Sequence, residues 1–252
     1  MKIWDEYLTE RDRQVFAASG YGTYLGMGER PAVLVVDVNY AFVGHEPQPI
    51  LESIKNWHNS CGEEGWQGVA AIAELLAGAR EKNVPIFYST GVDRRPDGFG
   101  RGLWRNSRNS EDSHVPDVDG NTIVAEIAPQ PQDVLIAKTK PSAFFGTALM
   151  SYLTELAVDS LLVVGTTTSG CVRASVIDAF SNNLRVSIVE EGTFDRGEAS
   201  HAINLFDMNA KYADVINLET GLAYLAGLPS DLFAGRIAPA TPAKDAELVA
   251  AP

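Results

Sequence analysis

An acid, an amine and a thiol stand at the ends of three apolar runs in this 252-residue chain. Asp37 falls in AVLVVDV (32–38), Lys138 closes DVLIAK (133–138), and Cys171 follows SLLVVGT (160–166). Around the thiol the sequence reads LLVVGTTTSGCVRASVIDAF (161–180), a strand, a Gly-Thr-Thr-Thr-Ser-Gly turn and a helix whose buried face is expected to be Val172, Val176, Ile177 and Phe180. A thiol in a first helical turn faces the positive end of the helix dipole and free backbone N–H groups, so the thiolate is favoured and a nucleophile is the expectation. The same N–H groups can receive an oxyanion. Thr168 or Ser169 is a candidate cap for this helix. The competing assignment for Cys171 is a small core residue, because free cysteine is commonly just buried.

A cysteine nucleophile needs a proton acceptor. The four histidines, His45, His58, His114 and His201, fall in loops or on a helix, none at a strand end. Asp37 and Lys138 do fall there, and carboxylates or ammonium groups at apolar strand ends are costly unless paired. Asp37 could instead cap the following loop, Lys138 could be a snorkelling edge lysine, and Lys140 is a rival two residues on.

What must position these groups is a series of short β-branched runs. Besides the three above they are VPIFYST (84–90), RVSIVEE (185–191) and a weaker ADVINL (213–218), with helical patterns at 66–82, 146–158, 170–181, 197–211 and 219–227. The first five runs are almost continuously apolar, as expected of strands covered on both faces. Strand–helix–strand units of this length force parallel pairing, so the expected fold is a three-layer α/β/α, Rossmann-like domain on a parallel sheet of about six strands. Its bounds are placed at 29–235, after a helical extension over 1–28 (helix 5–18) and before an Ala/Pro-rich, poorly ordered tail from 236 to 252. Two connections exceed an ordinary crossover: 39–65, with Asn39, Phe42, Trp57, His58 and Cys61, and 91–122, with Trp104 and Arg94, Arg95, Arg101, Arg105 and Arg108. Insertions at strand C-termini either build sites or make subunit contacts.

Composition narrows the function classes. A net charge of -13 repels phosphate backbones and anionic membranes, so neither nucleic acid nor a membrane surface is an expected partner. No run approaches the ~18 apolar residues of a membrane helix, and MKIWDEYLTERDRQ lacks the apolar core of a signal peptide. Two cysteines in unlike settings argue against a disulfide framework and for a reducing cytoplasm. The glycine-rich GYGTYLGMG (20–28) precedes the first strand, whereas a dinucleotide fingerprint needs strand, turn, then helix, so a nucleotide-binding or redox α/β protein is disfavoured.

VLVVDVNYAF, KTKPSAFFGTAL (138–149) and VVGTTTSGCVRASVIDAF (163–180), in that order, resemble the isochorismatase-like cysteine hydrolases over about 30–220. The resemblance implies an Asp–Lys–Cys triad at Asp37, Lys138 and Cys171, the lysine being chosen over Lys140 by its distance from Ser142–Phe144. It also implies a cis peptide at Thr166–Thr167 and an oxyanion hole from the N–H groups of Thr167 and Cys171. Isochorismatase itself lacks the cysteine, and nicotinamidases carry an Asp-x-His metal group that the loop with His45 and His58 does not offer. No metal and no cofactor are therefore expected. The branch resembled is that of N-carbamoylsarcosine amidase, maleamate amidase and biuret hydrolase. In the first two, an arginine 25 residues after the cysteine binds substrate, which falls on Arg196, and a threonine of the cysteine turn matches Thr168. Phe42 and Asn39 are further candidates for substrate contact, and Trp57 or Trp104 for excluding water. The implied activity is amidohydrolysis of a small linear carboxamide or ureido compound through a thioester, with release of ammonia. N-carbamoyl or biuret-like compounds are the leading class, and maleamate-type amic acids and ureidoacrylate the alternatives. A non-catalytic α/β binding protein is the other class, opposed by the intact triad. The family's habit also implies a homodimer or homotetramer.

Overall fold

β-branched runs joined by helical crossovers pair in parallel. In the computed structural model, which describes residues 2–92, 97, 115 and 117–236, they form one six-stranded sheet. The strands are β1 (Pro31–Val36), β2 (Ile86–Thr90), β3 (Val134–Ala137), β4 (Ser160–Thr166), β5 (Arg185–Phe194) and β6 (Asp214–Ile216), in the order β3-β2-β1-β4-β5-β6. All five pairings are parallel. The order reverses between β1 and β4, where Val36 lies opposite Gly165, and an open α/β sheet leaves a crevice at such a point beyond its strand C-termini.

The helices are α1 (Glu10–Ser19), α2 (Tyr40–Val43), α3 (Ile50–Asn56), α4 (Gly62–Glu81), α5 (Leu149–Glu155), α6 (Arg173–Ser181), α7 (Glu198–Lys211) and α8 (Leu218–Gly227). Alternation along β1 divides the core in two. Ala32, Leu34 and Val36 join Leu149, Leu153, Val176, Leu205 and Met208 of α5, α6 and α7 on one face. Val33 and Val35 join Val69, Ile72, Leu75 and Leu76 of α4 and Leu225 of α8 on the other. At ~25 cal/mol per Å² of apolar surface, each such Leu or Ile contributes on the order of 2 kcal/mol. None of the helices among the described residues is long and apolar enough to cross a membrane.

Several expectations need correcting. β3 is not covered on both faces: it is an edge strand and Leu135 is 52% exposed. β1 stops at Val36 because Asp37 adopts φ +53°, a left-handed conformation that ends extended pairing. β5 runs on to Phe194. α1 starts at Glu10 rather than residue 5, because Thr9 and Asp12 form a capping box. Phe180 leaves the buried face of α6 and sits half-exposed, edge-on to Tyr212, while Ala179 is fully buried. The five arginines named in the second insertion, Trp104, His114 and the tail from 237 lie outside the described residues.

Gly165 of β4, opposite Val36 of β1, has a φ of +111°. A Cβ there would lie 2.7 Å from the Val36 nitrogen and closer still to the Val36 carbonyl oxygen. No side chain fits beside a neighbouring backbone at that range. Gly165→Ala is expected to lower stability by about 3 kcal/mol or more, combining a disfavoured φ with overpacking. Gly146→Ala, with a positive φ but nothing within 4 Å, is expected to cost only about 1–2 kcal/mol. Urea midpoints of the two variants make the comparison.

Candidate active site

The crevice at the strand ends is furnished by consecutive backbone contacts. The Asp37 N–H donates to the Ser89 carbonyl at 3.0 Å and the Lys138 N–H to the Thr90 carbonyl at 3.0 Å, so the end of β2 holds both residues. Their side chains meet across it: Lys138 Nζ lies 2.7 Å from Asp37 Oδ2. The ammonium also donates to the Lys140 carbonyl at 3.2 Å and lies 3.5 Å from Cys171 Sγ. All three of its protons thus have partners. The Ser89 hydroxyl donates to Asp37 Oδ1 at 3.0 Å, taking the carboxylate's other oxygen. Asp37 is 2% exposed, and Lys138 and Cys171 are 8% exposed each. Lys138, not Lys140, brings its ammonium to this cluster, and Lys140 contributes only its carbonyl.

Burial in this cluster sets the protonation states. Desolvation works against the Lys138 ammonium, but the Asp37 carboxylate and the Cys171 sulfur outweigh it and hold its pKa above the usual lysine value. For Cys171, burial pushes the thiol well up, and the nearby Asp37 carboxylate adds to the rise against the opposing pull of Lys138. Enclosure beside a carboxylate thus works against the thiolate that the helix terminus was expected to favour.

The sulfur's own turn is shaped by its backbone. Thr166–Thr167 is a cis peptide bond, and Thr168–Val172 forms one π turn leading into α6. Gly170 and Val172 both donate their N–H to the Thr167 carbonyl, at 2.9 and 3.2 Å. Neither Thr168 nor Ser169 caps the helix, contrary to expectation. Thr168 Oγ1 lies 2.7 Å from His201 Nδ1 on α7, and Ser169 bonds Asp195 at the end of β5. Below the turn, Ser175 Oγ donates to the Cys171 carbonyl at 2.8 Å and accepts from Ala143 N–H at 3.0 Å, joining the Ser142–Phe144 segment to α6.

The remaining candidates stand further out. Arg196 is exposed and its guanidinium donates to the Asn59 carbonyl at 3.0 Å. Asn39 is buried: its carboxamide oxygen accepts from Phe42 N–H as the cap of α2, and its nitrogen donates to Thr90 Oγ1 at 3.0 Å. Phe42 is half-buried on α2. Trp57 is fully buried with Nε1 donating to His45 Nδ1 at 3.0 Å, which makes it a packing residue. Among the described residues no three His, Cys, Asp or Glu side chains gather as a metal site. Sequence reasoning set His201 aside as one of four histidines and gave no site role to Ser89, Ser175 or Asp195. Only Ser89 left a trace, as the polar close of an otherwise apolar strand.

Comparison with known proteins finds relatives over most of the chain. Residues 31–220 match the isochorismatase domain. N-carbamoylsarcosine amidase of Arthrobacter sp. is 32% identical over 231 residues, covering 87% of this chain and 80% of that protein. Maleamate amidohydrolase of Pseudomonas putida is 32% identical over 217 residues, covering 82% and 92%. Among solved structures, an isochorismatase family protein from Desulfovibrio vulgaris superposes with a TM-score of 0.63 at 26% identity, covering 79% of this chain and 100% of that one. With a matched domain spanning most of its length and a fold to suit, the chain belongs to the isochorismatase family.

Proposed function

We propose that the protein is a metal-independent cysteine amidohydrolase of small linear substrates with a terminal carboxamide or ureido group. Hydrolysis of an amide C–N bond is supported by relatives named as amidase and amidohydrolase. The single observation that carries the mechanism is the buried contact of Asp37, Lys138 and Cys171. In this reading Asp37 takes the Cys171 proton as sulfur attacks the carboxamide carbon, and Lys138, 2.7 Å from the carboxylate, holds it in place. The carbonyl oxygen becomes an oxyanion held by the N–H groups of Thr167 and Cys171, at about 3 kcal/mol per donor. As the C–N bond breaks, the Asp37 proton passes to the leaving nitrogen and ammonia departs. A water then gives a proton to Asp37 and attacks the thioester, or thiocarbamate for a ureido substrate. The C–S bond breaks and sulfur recovers the proton.

Arg196 would leave the Asn59 carbonyl to grip a distal carboxylate or carbonyl, with Asn39 and Phe42 shaping the pocket around it. N-carbamoyl or ureido compounds are the favoured class, since relatives named N-carbamoylsarcosine amidase and ureidoacrylate amidohydrolase both act on such groups by name. The loop holding His45 and His58 has no Asp-x-His spacing, and His45 is already engaged by Trp57.

An ammonia-release screen over N-carbamoyl amino acids, biuret, ureidoacrylate and maleamate is expected to give turnover with an N-carbamoyl or ureido compound. Cys171→Ala should bind that substrate in calorimetry yet release no ammonia; turnover above background would remove the nucleophile. Lys138→Ala should lower kcat by at least about a thousandfold, whereas Lys140→Ala, which keeps the carbonyl, should stay near wild type. Because the thiol's pKa is raised, alkylation of the Cys171 peptide by iodoacetamide, followed by mass spectrometry, should accelerate with every step between about pH 6 and 9. A pH-independent rate would mean a preformed thiolate.

A further inference from the structure

The turn that carries Thr167 and Cys171 has no side-chain cap of its own. A π turn has poorer internal hydrogen bonding than an α-helix, and this one contains Gly170. Its backbone is braced instead from one neighbouring stretch, residues 195–201. Ser169 donates both its N–H and its hydroxyl to Asp195 Oδ2, at 2.8 and 2.6 Å. Asp195 Oδ1 in turn accepts the Arg196 N–H at 2.8 Å. One residue earlier, Thr168 is wholly buried and its hydroxyl lies 2.7 Å from His201 Nδ1. His201 stands in the first turn of α7, its N–H bonded to the Gly197 carbonyl at 2.8 Å. Burial lowers the imidazole's pKa, with Asp195 opposing, so a neutral ring faces the hydroxyl.

We infer that His201 is a positioning residue for the oxyanion hole: through the Thr168 hydroxyl it holds the backbone from which the Thr167 and Cys171 N–H groups project. This rests on the proposed role of those two N–H groups. Such donors act only when fixed within a few tenths of an ångström of the developing charge, which is the work of surrounding hydrogen bonds. With Thr168 fully buried, its hydroxyl serves the turn, not the substrate. The signature is therefore a loss in kcat, where the charge develops, with KM nearly unchanged.

The experiment is steady-state kinetics by ammonia release on the substrate found in the screen, with thermal midpoints recorded for each variant. His201→Ala is expected to lower kcat about tenfold with KM changed by less than about twofold. Thr168→Val should match it, and the double variant should be no worse than either alone. His201→Asn, which can put a polar atom near the place of Nδ1, should recover most of the rate, while His201→Gln, whose polar atoms reach further, should not. If His201→Ala fails to fold, the Asn and Gln variants decide. Multiplying effects in the double variant, a rise in KM instead of a fall in kcat, or equal rates for Asn and Gln would each overturn the brace. Wild-type protein inactive on every compound would overturn the proposed function and this inference with it, whereas active wild type with an unaffected His201→Ala would overturn this inference alone.

Discussion

Two full charges, the Asp37 carboxylate and the Lys138 ammonium, meet at 2.7 Å in a place almost closed to water. Desolvating either alone would cost several kcal/mol, and only mutual attraction with every remaining proton and lone pair occupied makes the arrangement tolerable. That requirement explains the neighbourhood. Ser89 occupies the second carboxylate oxygen, the Lys140 carbonyl takes another ammonium proton, and the sulfur of Cys171 completes the set.

The same enclosure assigns the protons. A carboxylate beside a thiol in a dry site raises the thiol's pKa, and the same carboxylate holds the neighbouring ammonium's pKa above the usual lysine value. On the proposed mechanism the sulfur starts as a thiol and gives up its proton to Asp37 during attack. Backbone geometry supports this division: β2 fixes Asp37 and Lys138 through main-chain bonds, while the π turn after β4 presents the sulfur.

How much of this could be read from the sequence depended on distance along the chain. AVLVVDV and SLLVVGT announce central strands because they are apolar at successive positions, and the sheet has both of them buried throughout. DVLIAK looks the same, yet Leu135 is exposed, because position at the centre or edge of a sheet is set by strand order, which no local pattern records. Asp37, Lys138 and Cys171 were legible as polar residues at apolar ends. Ser89 and Asp37, 52 residues apart, and Thr168 and His201, 33 apart, become partners only when the sheet forms. The rise in the thiol's pKa was hidden for the same reason: a helix dipole is a local property, whereas desolvation comes from residues far away in sequence. Phe180 kept the helical period but fell toward Tyr212 at the rim of the fold.

The ammonium of the site is mounted on the least protected piece of the sheet. β3 has four residues, a single neighbouring strand and one of its side chains half in water. Edge strands of this kind open at free energies below that of whole-molecule unfolding. On the proposed mechanism, catalytic competence and global integrity are therefore separable in this molecule. Fraying of one short margin would carry Lys138 away from its carboxylate while β1, β4 and β5 remain paired, so that warming would silence the enzyme before it melts.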